Sequence, residues 1–343
     1  MNGKRMGMAT IRMERPPRVR AWAAVGGKKE KNGPLGQQFD QTFSDTMCGE
    51  KTWEKAEVHL QKTAVSLAAN KCRLPIDALD MIFAGDLLGQ CVASSYAARG
   101  TKVPYLGVYG ACSTMAESLA LAACMVDGGF AQRVCAVASS HFCTAERQYR
   151  FPLAYGGQRT PTAQWTATGA GACILTPSAD DQAPVRITHV CFGKVCDLGI
   201  TDANNMGAAM APAAHDTLRT LLSDTGTQPT DYDGIFTGDL GKVGTRLLCE
   251  LFERDGIDIR TVHDDCGKLL FDEKQDVHAG GSGCGCAASV LCAHLLPRLA
   301  DGTMRRIILA ATGALMSPMS VQQGESIPAV CHAVVLESGS GKR

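Results

Sequence analysis

Apolar positions along the chain fall into two kinds of run. Over residues 52–70, Trp53, Ala56, Leu60, Ala64 and Leu67 recur every three or four places, which predicts an amphipathic helix. Residues 81–84, 133–139, 169–178, 307–311 and 329–338 instead form short continuous apolar stretches, as strands buried on both faces do. Segments opening at Ala111 and Cys286 are rich in Ala, Ser and Gly. They predict helices packed closely between sheets.

These elements come twice in the same order. Residues 75–90 read PIDALDMIFAGDLLGQ and residues 229–244 read PTDYDGIFTGDLGKVG, so Phe83-Ala84-Gly85-Asp86-Leu87 matches Phe236-Thr237-Gly238-Asp239-Leu240. After each copy a Gly- and Cys-containing segment opens an apolar helix, followed by a strand and then a closing strand. Such self-similarity predicts a duplicated α/β unit. The expected architecture is a pair of α/β halves, 1–182 and 183–343, in a layered sheet-helix-sheet arrangement joined across the polar stretch 178–185. A helix near 212–223 is the expected counterpart of the one at 52–70.

Charge and composition narrow the function classes. Lys+Arg and Asp+Glu both number 34, so the 343-residue chain has no basic excess for nucleic acid, and 45% hydrophobic content argues against disorder. The uncharged stretches 160–179, 277–297 and 307–324 are broken by Pro, Thr, Gln or Gly and do not predict a membrane span. The basic N-terminal segment lacks an apolar core, so no signal peptide is expected and the chain reads as soluble and intracellular. The 16 Cys then read as reduced core thiols. Cys284-Gly285-Cys286 has no second pair at zinc-site spacing, so no metal is expected.

Cys112 sits between an apolar strand and a helix. There the free amides and the helix dipole are expected to favour thiolate and to offer an oxyanion or carboxylate site; a small residue at a crowded junction is the plain alternative. His141 follows a strand end, where ligand-facing residues concentrate. Residues 141–165 also bring Arg147, Tyr149, Arg150, Arg159 and Trp165 into one long connection, either a pocket cover or a solvated loop. His278 precedes a glycine-rich turn, and Asp265 lies in His263-Asp264-Asp265-Cys266-Gly267, as a cavity carboxylate or a structural acceptor.

Gly110-Ala111-Cys112-Ser113-Thr114 resembles the nucleophile segment of the thiolase and ketosynthase superfamily. With GEKTWEKAE (49–57), IFAGDLLGQ (82–90), residues 139–172 and HAGGSGCGC (278–286), the chain is more narrowly similar to the stage V sporulation AD family. The resemblance implies a thiolase-like fold and a homodimer. It also implies dipicolinic acid (pyridine-2,6-dicarboxylate) as ligand, with or without calcium. The protein would act with membrane proteins of the same operon on the cytoplasmic side of the spore inner membrane. In ketosynthases of this superfamily a His follows a second-half strand and an Asn or His follows a later turn. Here Gly238-Asp239-Leu240-Gly241 and Cys284 stand in those places. The expectation is therefore no catalysis, no cofactor, and a ligand set of Cys112, His141, Arg150, Asp265, His278 and Cys284. Two rivals stay open: an acyl-transferring enzyme with Cys112 as nucleophile and His141 or His278 as base, and a scaffold with a vestigial pocket.

Overall fold

The continuous apolar runs form one large mixed sheet, and its strands feed separate cores on their two faces. The computed structural model describes residues 4–149 and 159–339. Its first part contains β1 (Arg18–Gly26), α1 (Trp53–Lys71), β2 (Met81–Gly85), β3 (Tyr105–Gly107), α2 (Thr114–Asp127), β4 (Val134–Ser140), α3 (Phe142–Tyr149) and β5 (Gly169–Thr176). Then follow β6 (Val185–Phe192), α4 (Met206–Thr225), β7 (Gly234–Thr237), α5 (Gly241–Arg254) and β8 (His263–Asp265). Helix α6 (Cys284–Val290), β9 (Arg306–Ala314) and β10 (Ala329–Ser338) complete the set.

Hydrogen-bonded neighbours run β3-β2-β4-β5-β1-β6-β10-β9-β7-β8, with short strands off this path. The two arms repeat one order outward from the β1–β6 contact. On each, the inner pairs are antiparallel (β1–β5, β5–β4; β6–β10, β10–β9) and the outer pairs parallel (β4–β2, β2–β3; β9–β7, β7–β8). Between the arms, β1 and β6 pair at Val19↔Val185 and Arg18↔Arg186.

Alternation along each strand divides the core. In β4, Val134, Ala136 and Ala138 face inward with Met115 and Leu119 of α2, whereas Cys135 and Val137 face outward with Leu60 and Ala64 of α1. In β10, Val334 and Leu336 join the inner core while Ala333 and Val335 pack outward with Leu218 and Leu221 of α4. Helix α2 contacts β4 and β2 of one arm and β10 and β9 of the other. Its small side chains permit that close packing between the two arms. Helix α1 starts where Thr52 Oγ1 accepts from the Lys55 amide at 3.3 Å; such a cap is worth about 1 kcal/mol.

Candidate functional site

The turn after β3 carries Cys112 into the core. Gly110 O accepts from the Ser113 amide at 3.0 Å and from Ser113 Oγ at 2.6 Å, and Thr114 Oγ1 donates to Ala111 O at 2.7 Å. These bonds close a tight turn, Ala111–Ser113, just ahead of α2. Ala111 holds φ +49°, a left-handed conformation that costs a non-glycine residue about 1–3 kcal/mol. Strand β9 lies against the turn at Gly313, where a Cβ would come within 2.1 Å of Gly110 O.

The thiol so placed faces a carboxylate. Asp239, just after β7, accepts from Thr312 Oγ1 at 2.9 Å, from the Gly283 amide at 2.9 Å and from Ser282 Oγ at 3.2 Å. The Cys112 thiol lies close enough to this carboxylate to feel its charge. Burial pushes the Cys112 thiol well above its ordinary range, and the Asp239 charge pushes it further. Burial raises Asp239 too, against the pull of its donors. Cys284 opens α6 behind Gly283, whose φ of +97° suits glycine, and its Sγ donates to Ser139 O at 2.9 Å. Burial and then the neighbouring Cys112 raise Cys284 as well. The expected thiolate at a helix start is thus corrected: desolvation and a facing carboxylate outweigh the helix field, and both thiols stay protonated at neutral pH.

A cavity of about 40 Å³ opens beside Cys112, walled by Leu87, Tyr109, Tyr149, Met206 and Met316. That is room for about one water. Tyr149 OH donates to Leu87 O, so Tyr109 OH donates to Tyr149 OH, 2.8 Å away, and the pair closes the mouth. Among the described residues, no Arg, Lys or His lines this cavity.

A sequence profile of the stage V sporulation protein AD family matches residues 7–337. Stage V sporulation protein AD of Bacillus subtilis (strain 168) is 46% identical over 338 residues, 98% of this chain and 99% of that protein. The chain belongs to the stage V sporulation protein AD family. Its fold is thiolase-like. The 3-oxoacyl-[acyl-carrier-protein] synthase III of Aquifex aeolicus VF5 superposes with TM-score 0.57 at 16% identity, covering 94% of this chain and 99% of that one. Human mitochondrial 3-ketoacyl-CoA thiolase in complex with CoA superposes with TM-score 0.59 at 12% identity, covering 96% and 99%. At these identities the likeness is one of fold.

Of the residues expected to bind ligand in this stage V sporulation AD family member, Cys112 and Cys284 come together, while His141, His278 and Asp265 are engaged by other partners. His141 is buried; its Nδ1 accepts from the Cys143 amide at 3.2 Å, which puts the ring proton on Nε2, donating to Thr46 O at 2.7 Å. Burial lowers its pKa, so the ring is neutral. His278 contacts Thr160 O at 2.6 Å and Asp276 Oδ1 at 3.1 Å. Asp265 accepts from Thr237 Oγ1 and from the amides of Leu240, Gly241 and Gly267 at 2.7–2.9 Å; it ties β8 to the start of α5. Arg150 lies outside the described residues. Arg147 pairs with Glu54, and Arg159 stands over Trp165, which stacks on Phe142 at 3.8 Å.

The residue missed by the sequence reading is Asp239, taken there only as the loss of a histidine. Its signal was the repeated Gly-Asp-Leu at the end of matching strands. The first copy, Asp86, turns elsewhere and accepts from the Leu88 and Ser94 amides and from Ser94 Oγ.

Proposed function

We propose that this stage V sporulation AD family member is a non-catalytic binding protein for dipicolinic acid. It works as a homodimer, peripheral to the spore inner membrane, and hands the ligand to membrane proteins of its operon. The carrying observation is that Cys112 faces the carboxylate of Asp239 rather than an imidazole. A buried carboxylate raises a thiol pKa, whereas nucleophilic catalysis needs a base or cation that lowers it. Both histidines considered as bases are engaged elsewhere, His141 with Thr46 and His278 with Thr160 and Asp276. Among the described residues no helix is long and apolar enough to cross a membrane.

The Cys112 cavity is smaller than the ligand, so binding requires Tyr149 to swing off Leu87 and Tyr109. The test is calorimetric titration of the full chain with dipicolinate, with and without calcium, and with acetyl-CoA in parallel. Saturable dipicolinate binding that weakens on Cys112→Ala, with no acetyl-CoA response, is expected. A mass increase at Cys112 after acetyl-CoA, together with silence toward dipicolinate, overturns the reading in favour of acyl transfer.

A further inference from the structure

A cavity of about 530 Å³ lies on the outer face of the first arm, between α1, β2 and the helix Val92–Ala98. That volume falls within the usual range for small-molecule sites, about 300–1,000 Å³. Val65, Ile82, Ala97 and Val137 give it apolar walls. Lys62, Arg99 and Lys102 stand exposed at its rim against a single acid, Asp77, in the described lining.

Its floor is Gln61, 1% exposed, whose amide is oriented from behind. Ser94 Oγ donates to Asp86 Oδ2 at 2.6 Å and Ser139 Oγ donates to Glu57 Oε1 at 3.3 Å. Both hydroxyls therefore offer lone pairs to Gln61, whose Nε2 donates to them at 3.0 and 3.1 Å, with Gly85 O a longer acceptor at 3.4 Å. The amide hydrogens face the serines, and Oε1 turns the other way, with no donor among the described residues. Gln61 lines the cavity, so a ligand hydroxyl or N–H there can donate to its free oxygen.

We propose that this cavity binds a small organic anion with an apolar body. A hydroxyl or N–H at the buried end donates to Gln61 Oε1, and a carboxylate at the outer end is held by Lys62, Arg99 and Lys102. This site is separate from the Cys112 cavity and goes beyond the dipicolinate reading. The dipicolinate dianion carries no O–H or N–H and leaves Gln61 Oε1 unpaired.

Three probes with one cinnamoyl body test each part: para-hydroxycinnamate, cinnamate (no donor) and para-hydroxycinnamamide (no charge), titrated calorimetrically into the full chain. para-Hydroxycinnamate is expected to bind saturably, and each of the others roughly ten-fold more weakly. Arg99→Ala and Lys102→Ala, both at exposed positions, each weaken the acid but leave the amide's affinity unchanged. Val65→Trp, checked for folding by circular dichroism, fills the cavity and removes binding. Cys112→Ala changes none of these affinities, which separates this result from failure of dipicolinate binding. No response to para-hydroxycinnamate, equal affinity for all three probes, or binding that survives both rim substitutions unchanged overturns the proposal.

Discussion

The carboxylate of Asp239, just after β7, bears on the thiol of Cys112, in the turn after β3, across the seam between the two arms. The pairing sets the chemistry of the site. A negative neighbour disfavours thiolate, so Asp239→Asn is expected to lower the Cys112 pKa and speed its alkylation. Each pKa unit is worth about ten-fold in thiolate. Peptide mass mapping after timed iodoacetamide treatment at mildly alkaline pH measures this. An unchanged Cys112 rate would show that burial alone controls the thiol.

Tyr149→Phe removes the hydroxyl that links Tyr109 to Leu87 O. The expected cost is about 1–2 kcal/mol in urea unfolding, with faster labelling of Cys112 because the mouth loses its latch. Loss of stability without a change in labelling would mean that the tyrosine pair does not control access.

Gly313→Ala places a methyl against Gly110 O, with the Ser113 and Cys112 amides just beyond. Backbone on both sides leaves little room to relax, and overpacking of this kind costs about 1–3 kcal/mol. The variant should unfold at lower urea and lose dipicolinate affinity together, since the strain falls on the Cys112 turn. Wild-type calorimetric and denaturation curves would refute the close approach.

Buried carboxyls contribute stability that is lost as pH rises from about 4 to 7. Against them stand buried histidines such as His263 and His332, lowered by burial to about 4, whose contribution grows over the same range. Burial lifts Glu30 to about 7 and Asp265 to about 6, and it raises Glu57 and Asp86 in the same direction. Unfolded carboxyls titrate near 4, so across this window these groups hold protons in the folded state that the unfolded state has shed, and their share of the slope of stability with pH is negative. Glu30→Gln keeps an acceptor for the Thr168 amide, now 2.9 Å from Oε1, but cannot ionise. Urea midpoints measured at several pH values should show a slope shifted in the positive direction in that variant; an identical slope would remove Glu30 from the account.

The elements with strong periodicity were legible in the sequence. The helix at 52–70 is α1, the closing apolar runs are β5 and β10, and the repeated order reappears as the repeated strand order of the arms. Strand β1 escaped notice because Arg18 and Arg20 alternate with Val19 and Ala21, so a central strand reads as part of a basic leader. The site was harder. Distance along the chain gives no hint that Asp239 meets Cys112, because that contact depends on how the arms stack. His141 and Asp265 did sit at strand ends, as ligand residues often do, yet the local backbone had already engaged them: Cys143 and Thr46 for the histidine, and three amides with Thr237 for the aspartate. A strand end marks where a residue lies, not what it bonds.

Helix α2 has a consequence for synthesis. Its contacts are divided between an arm made early and an arm made late, with β9 and β10 among the last elements to be translated. Until those strands leave the ribosome, Met115, Leu119 and the inner faces of β4 and β5 lack half of their covering. The nascent chain therefore presents a broad apolar surface for the time needed to translate its second part. In the cell, holding that surface safe is work for a chaperone.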